Sequence, residues 1–258
     1  MVRSFGVSDA GAVRRSNEDS FLADDELSLF VVADGMGGHA AGEVASKLAV
    51  ESIENFIRRS QDCGDFSWPC GIDPTLTFAG NRVRTAIYLA NRRVFRVAEA
   101  HDDYTGMGTT VVCGLINGGH LAIGHVGDSR LYLFSRGVLS VQTQDDTWAA
   151  TVLAATASDP NAVNSHPLRH VLTNVLGARD HTDIHVSERD LLHGDVLLLC
   201  SDGVHNVVDA ASLESLIAKS PDLQQVAQSI VGMALERGSR DNVTALVVQY
   251  QDDGARHA

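Results

Sequence analysis

The stretch Leu29-Phe30-Val31-Val32-Ala33-Asp34-Gly35-Met36-Gly37-Gly38-His39 runs from an apolar segment into a carboxylate and then into a glycine-rich turn. The apolar part, β-branched and aromatic, predicts a buried strand. Glycine permits backbone angles and close approaches that a Cβ would block, so carbonyls beyond the strand can turn toward a ligand. A carboxylate delivered by a rigid strand into such a turn suits a hard metal ion. An ordinary strand-to-helix turn with a capping Asp fits the same residues, so this stretch alone leaves both readings open.

The chain has 258 residues, 44% of them apolar, enough to bury one large core. Its net charge of -13 argues against nucleic acid and anionic membranes as partners. The same charge would repel a phosphorylated substrate unless bound cations offset it locally. No run approaches the roughly 18 apolar residues of a membrane span, and the opening Met1-Val2-Arg3-Ser4-Phe5-Gly6 holds no signal-peptide core. A cytoplasmic protein is expected. Cys113 and Cys200 sit in apolar strand-like runs and read as core residues. Cys63 and Cys70 flank a Trp-Pro segment, where either a disulfide or, in a cytoplasmic protein, a reduced pair fits.

Short strands are predicted over 4–9 and 19–24, with the polar Arg14-Arg15-Ser16-Asn17-Glu18-Asp19 closing the gap between them. Apolar residues at helical spacing predict helices over 40–59 and 80–100, joined by an irregular excursion at 61–77. Asn117-Gly118-Gly119 joins strands 109–116 and 120–126, and Arg136-Gly137 joins 130–135 and 138–143, as hairpins. Strands resume at 184–187 and 195–200, helices follow at 209–219 and 222–236, and a last strand covers 243–250 before a tail at 251–258. Antiparallel hairpins and helices in separate blocks argue for an α+β fold in one domain, 1–258.

One pattern recurs along this chain. Asp34-Gly35, Gly127-Asp128-Ser129, Ser201-Asp202-Gly203 and Arg240-Asp241-Asn242 each place an Asp beside a strongly apolar run. Each Asp is thereby held at a core edge by something rigid. Gathering like charges there is costly without cations, so the recurrence points to a shared oxygen-ligand metal site. With no His or Cys in these segments, Mn²⁺ or Mg²⁺ fits better than zinc.

Taken together, Arg14-x-x-Asn17-Glu18-Asp19, Asp34-Gly35-Met36-Gly37-Gly38, Gly106-Met107-Gly108-Thr109-Thr110, Gly127-Asp128-Ser129-Arg130, Ser201-Asp202-Gly203 and Asp241-Asn242 resemble, in order, the motifs of the metal-dependent protein phosphatases. These are the type 2C serine/threonine phosphatases (PPM), here in their bacterial form, and the resemblance runs from about Val2 to Val248. It implies a four-layer α/β/β/α sandwich of two antiparallel sheets flanked by helices, with metals in a cleft at one sheet edge. It implies that Asp34 bridges two Mn²⁺ or Mg²⁺ ions, with the Gly35 carbonyl also on metal. Asp202 and Asp241 complete one ion, Glu18 holds the other through water, and Asp128 with Asp202 matches the position of a third, weaker ion. Arg14 becomes a phosphate clamp, because its fork matches phosphate as Lys cannot. Without the motif, Arg14 reads as a solvated surface charge.

The implied chemistry is hydrolysis of phosphoserine and phosphothreonine by a hydroxide bridging two cations, which also neutralise the phosphate oxygens. The implied partner is a phosphorylated protein, either a bacterial-type Ser/Thr kinase or its target. A catalytically silent adaptor and a phosphatase of small metabolites are the alternatives. The former should have lost metal carboxylates, and none is missing. Two departures from the family stand out. Met36 occupies the place of a His proposed as general acid in eukaryotic members, and a thioether donates no proton. His39 lies nearby but also fits a plain surface residue at a helix start. The flap, about 144–175, carries Thr143-Gln144-Asp145-Asp146-Thr147 where many bacterial relatives have Asp-His-Ser.

Overall fold

A computed structural model of the protein describes residues 1–38, 41–61, 68–155, 163 and 166–252. Eleven strands are found there: β1 Val2–Asp9, β2 Asp19–Asp24, β3 Leu29–Met36, β4 Gly108–Thr109, β5 Val111–Asn117, β6 His120–Val126, β7 Arg130–Ser135, β8 Val138–Val141, β9 His185–Asp190, β10 Val196–Cys200 and β11 Val243–Tyr250. The helices are α1 Ala41–Arg59, α2 Phe78–Ala100, α3 Trp148–Ala155, α4 Asp202–His205, α5 Ala210–Lys219 and α6 Leu223–Glu236.

The strands form two antiparallel sheets, ordered β1-β11-β10-β7-β8 and β2-β3-β5-β6-β9, with β4 pairing the end of β3. Strand side chains alternate between faces, and here both faces of the central strands are buried. Leu29, Val31 and Ala33 of β3 pack under α1 and α2, while Phe30 and Val32 pack against the other sheet. In the second sheet, Leu198, Cys200, Ala245 and Val247 meet α5 and α6, whereas Leu197, Leu199, Leu246 and Val248 enter the space between the sheets. That produces four layers, helices–sheet–sheet–helices, as the family resemblance implies. It also explains why β3, β10 and β11 read as continuous apolar runs rather than alternating ones.

Several boundaries differ from the sequence expectation. β3 does not stop at Asp34 but continues to Met36, because Gly35 and Met36 find backbone partners in Thr109 and Gly108. The predicted strand 109–116 is accordingly split, β4 and β5 flanking Thr110. The start of the flap, uninterpreted from sequence, carries helix α3, whose Thr147 hydroxyl accepts from the Ala150 amide. Asp202 opens the short helix α4, a helix the apolar pattern gave no sign of. The Asn117-Gly118-Gly119 hairpin forms as expected, with φ of 54° at Gly118 and 83° at Gly119. Cys113 and Cys200 are fully buried free thiols, and Cys70 is a free thiol 3.4 Å from the Thr85 hydroxyl. Cys63 and His39 lie outside the described residues.

Candidate metal centre

The two sheets present their ends at one cleft of about 200 Å³. Arg14, Glu18, Asp34, Gly35, Asp128, Asp202 and Asp241 all line it, so the seven residues that the resemblance assigns to the site are brought to one place. Met36, Gly37, Thr110, His170 and Leu172 complete the wall.

Asp34 is the best-anchored group. Its amide donates to Thr110 Oγ1 at 3.1 Å, and its carbonyl accepts from the Thr110 amide at 2.8 Å and Thr109 Oγ1 at 2.9 Å. The Gly-Thr-Thr segment thus clamps the backbone that carries the carboxylate. The Gly35 amide donates to the Glu18 carbonyl at 3.2 Å. A Cβ on Gly35 would stand 2.0 Å from the Gly42 carbonyl oxygen, so only glycine lets α1 approach the end of β3 this closely. Asn242 ties the other wall together. Its Oδ1 accepts from the Glu18 amide, and its Nδ2 donates to the carbonyls of Ala10 and Ser16.

Asp19 faces Asp34 across the β2–β3 pair. Its Oδ2 accepts from Ser201 Oγ at 2.8 Å and Thr244 Oγ1 at 2.6 Å, so it links the two sheets from behind the cleft. Asp128 is 6% exposed, and its carbonyl accepts from His205 Nε2 at 2.9 Å. Burial pushes the His205 imidazole down to about 4, so it is neutral and its Nε2–H is the donor. Arg14 Nη2 donates to Asp241 Oδ2 at 2.7 Å.

The cleft concentrates negative charge out of water. Burial, and then the charges of Asp19, Asp202, Asp128 and Asp241, hold the Asp34 carboxyl well above the usual carboxylate range. Burial likewise pushes Asp202 up to about 6, with Asp241 adding to it, and Asp128 up to about 7, with Asp202 and Asp145 adding. Glu18 is raised by the same cause. Asp34 and Asp202 lie near enough that one, when protonated, bonds the other. With both ionised, the buried Asp202 Oδ1 has no partner at all.

Among the described residues no group of three or more His, Cys, Asp or Glu side chains is arranged to hold an ion as it stands. The carboxylates are turned instead to protein donors, Asp241 to Arg14 and Asp202 Oδ2 to Asn206 Nδ2 at 3.0 Å. The donor set nevertheless fits hard divalent cations: five carboxylates converge on one cleft, and a buried oxygen on Asp202 is without a partner. A cation supplies what that oxygen lacks.

Sequence reasoning missed three features of this site. His170, inside the flap region, lines the cleft. Thr110 was noted as a motif member, without its role of clamping Asp34. His205 beneath Asp128 gave no sequence signal.

Comparison with known proteins agrees with this geometry. The family model for Protein phosphatase 2C matches residues 12–238. The chain is 35% identical over 253 residues to the serine/threonine protein phosphatase PstP of Mycobacterium tuberculosis, covering 98% of this chain and 46% of that protein. It therefore spans about half the length of these mycobacterial relatives. It is 30% identical over 248 residues to the serine/threonine phosphatase stp of Listeria innocua, covering 93% of each. A crystal structure of the M. tuberculosis phosphatase PstP/Ppp superposes with a TM-score of 0.83 at 33% identity, covering 97% of this chain and 99% of that one. The PstP catalytic domain in complex with two manganese ions gives 0.80 at 32% identity, with the same coverage. With two sheets meeting at a carboxylate cleft and a family match over nearly all of that architecture, the chain belongs to the protein phosphatase 2C family.

Proposed function

We propose that the protein is a metal-dependent serine/threonine protein phosphatase, a single PPM-type domain that reverses a bacterial Ser/Thr kinase in the cytoplasm. The observation that carries this reading is the convergence of Glu18, Asp34, Asp128, Asp202 and Asp241 beside one arginine in one cleft. Two Mn²⁺ or Mg²⁺ ions would be held by Asp34, Gly35, Asp202, Asp241 and Glu18, with Asp128 beside a third. When bound, such ions acidify a water and neutralise the charge of the phosphate oxygens.

The chain's own residues supply the rest. Arg14 carries more donors than its single bond to Asp241 uses, so its fork can take a phosphate oxygen while it keeps that anchor. The Thr109–Thr110 clamp on Asp34 and the Asp19 link to Ser201 and Thr244 fix the carboxylates in advance, which is where phosphoryl transfer needs the protein most. Leu172 and Met36 present apolar surface to the cleft. No helix among the described residues is long and apolar enough to cross a membrane. The names of the PstP and stp relatives support phosphoprotein substrates, and the manganese complex of PstP supports the metal.

Turnover of a phosphothreonine peptide tests the reading. EDTA should abolish it and Mn²⁺ or Mg²⁺ restore it, whereas full activity in excess chelator would sink the metal mechanism. A panel of sugar phosphates run alongside separates a protein phosphatase from a metabolite phosphatase.

A further inference from the structure

A second, larger groove of about 680 Å³ opens beside the metal cleft. The two cavities share Met36 and Leu172 as a common wall. Beyond that neck the groove is lined by Val175, Ala178, Asp180 and Asp183 among others. Met36 is 36% exposed although it ends a core strand.

The groove wall is braced from behind. Asn174 Nδ2 donates to Asp146 Oδ2 and to the Asp183 carbonyl, each at 2.8 Å, and Asn174 Oδ1 accepts from Thr182 Oγ1 at 2.6 Å. Asp146 is held in turn by His185 Nε2 at 2.9 Å and by the Gly127 amide at 3.0 Å. A wall tied to the loop that carries Asp128 is formed before anything binds, which lowers the ordering cost of binding.

We infer that this groove seats the substrate polypeptide on one side of the phosphorylated residue, with an aliphatic side chain over the Met36–Leu172 neck and a basic residue near Asp180 and Asp183. The inference rests on the phosphatase reading above. Continuity argues for this occupant, because a chain whose phosphate enters the cleft can run past Met36 and Leu172, which line both cavities. The apolar neck disfavours a charged neighbour, which would be desolvated there without a partner. Here two carboxylates stand against one guanidinium, Arg179, and the Asp180 carboxylate lies 3.6 Å from the exposed His181. Carboxylates thus outnumber guanidiniums two to one in this part of the lining. Extended chains place alternate side chains on one face, so the aliphatic and basic positions should be two apart.

Binding tests this without depending on turnover. Peptides carrying a non-hydrolysable phosphonate analogue of phosphothreonine, flanked on either side by Leu-x-Lys, Gly-x-Gly or Glu-x-Glu, would be titrated by fluorescence polarisation in Mn²⁺. The expected result is that one Leu-x-Lys peptide binds at least about tenfold more tightly than its Glu-x-Glu counterpart, about 1.4 kcal/mol. Leu172→Ala should erase the Leu preference, and Asp180→Lys with Asp183→Lys the Lys preference. Equal binding of all peptides, or unchanged preference in both variants, overturns the groove assignment. Turnover of phosphothreonine peptides and nitrophenyl phosphate by the wild type is measured in parallel. Its absence on both would remove the phosphatase reading, while the binding series still decides the groove.

Discussion

Arg14 Nη2 rests on Asp241 Oδ2 at 2.7 Å, so the guanidinium of the cleft is anchored on one of the carboxylates proposed to hold metal. The pair is half open to water, with 51% of the Arg14 side chain and 32% of the Asp241 side chain exposed. Solvent screening at that exposure leaves the pair about 0–1 kcal/mol of folding stability. Its value lies in aiming the fork.

From this anchor follows the first prediction. Arg14→Ala should raise KM for a phosphothreonine peptide by about tenfold, while the melting temperature moves by only a few degrees. Arg14→Lys keeps the charge but not the fork and should recover part of the loss. If both variants keep the wild-type KM, Arg14 returns to being a surface charge.

Asp202→Asn removes a buried negative charge that burial and Asp241 make unfavourable, while the Asn can still accept from Asn206. The metal-free variant should therefore melt at or above the wild-type temperature at pH 8. Turnover should fall by at least about 100-fold, and calorimetric titration should show weakened Mn²⁺ binding. A near-normal rate would take Asp202 out of the site.

The pH dependence of the metal-free protein has a definite sign. Asp34 and Asp128 have folded values above their unfolded ones, so their contribution is full below about 4 and is lost as pH rises, through about 7 for Asp128. His185, raised by its bond to Asp146, acts in the same direction. His205 and His125, both lowered by burial, oppose these groups only below their unfolded value of 6.5. In chelator, the melting temperature should thus fall between pH 6.5 and pH 8. Saturating Mn²⁺ should flatten the slope, since cations offset the ionised carboxylates. A melting temperature that rises over that interval in chelator would contradict this balance.

Met36 bears on the leaving group. Phosphothreonine expels an alkoxide that needs a proton, whereas nitrophenol leaves largely unaided. With a thioether at position 36, the proton should come from the side of the cleft held by Asp128. Asp128→Ala should slow peptide hydrolysis at least about tenfold more than nitrophenyl phosphate hydrolysis. His170→Gln, which alters the imidazole lining the cleft, should leave that ratio unchanged. The opposite pattern would assign the proton to His170.

The amino-acid sequence by itself determined the α+β class, and its resemblance to the phosphatase family implied the four layers. Runs such as Leu29–Ala33 and Val196–Cys200 are apolar on both alternating faces, so each strand had to be covered twice. It also marked the residues that meet at the cleft, because Asp128, Asp202 and Asp241 each flank a buried strand and Asp34 lies near the end of one. What only the tertiary structure decided are the contacts made across long separations. Arg14 is 227 residues from Asp241, and Asp19 is 225 from Thr244. Neither pairing leaves a periodicity in the chain. The same holds for Thr110 clamping Asp34, for His205 under Asp128, and for the groove that Met36 shares with the 172–183 segment. Local patterns report which face of an element is buried. Which side chain meets which across two sheets is set by packing and register, and these exist only once both sheets have formed.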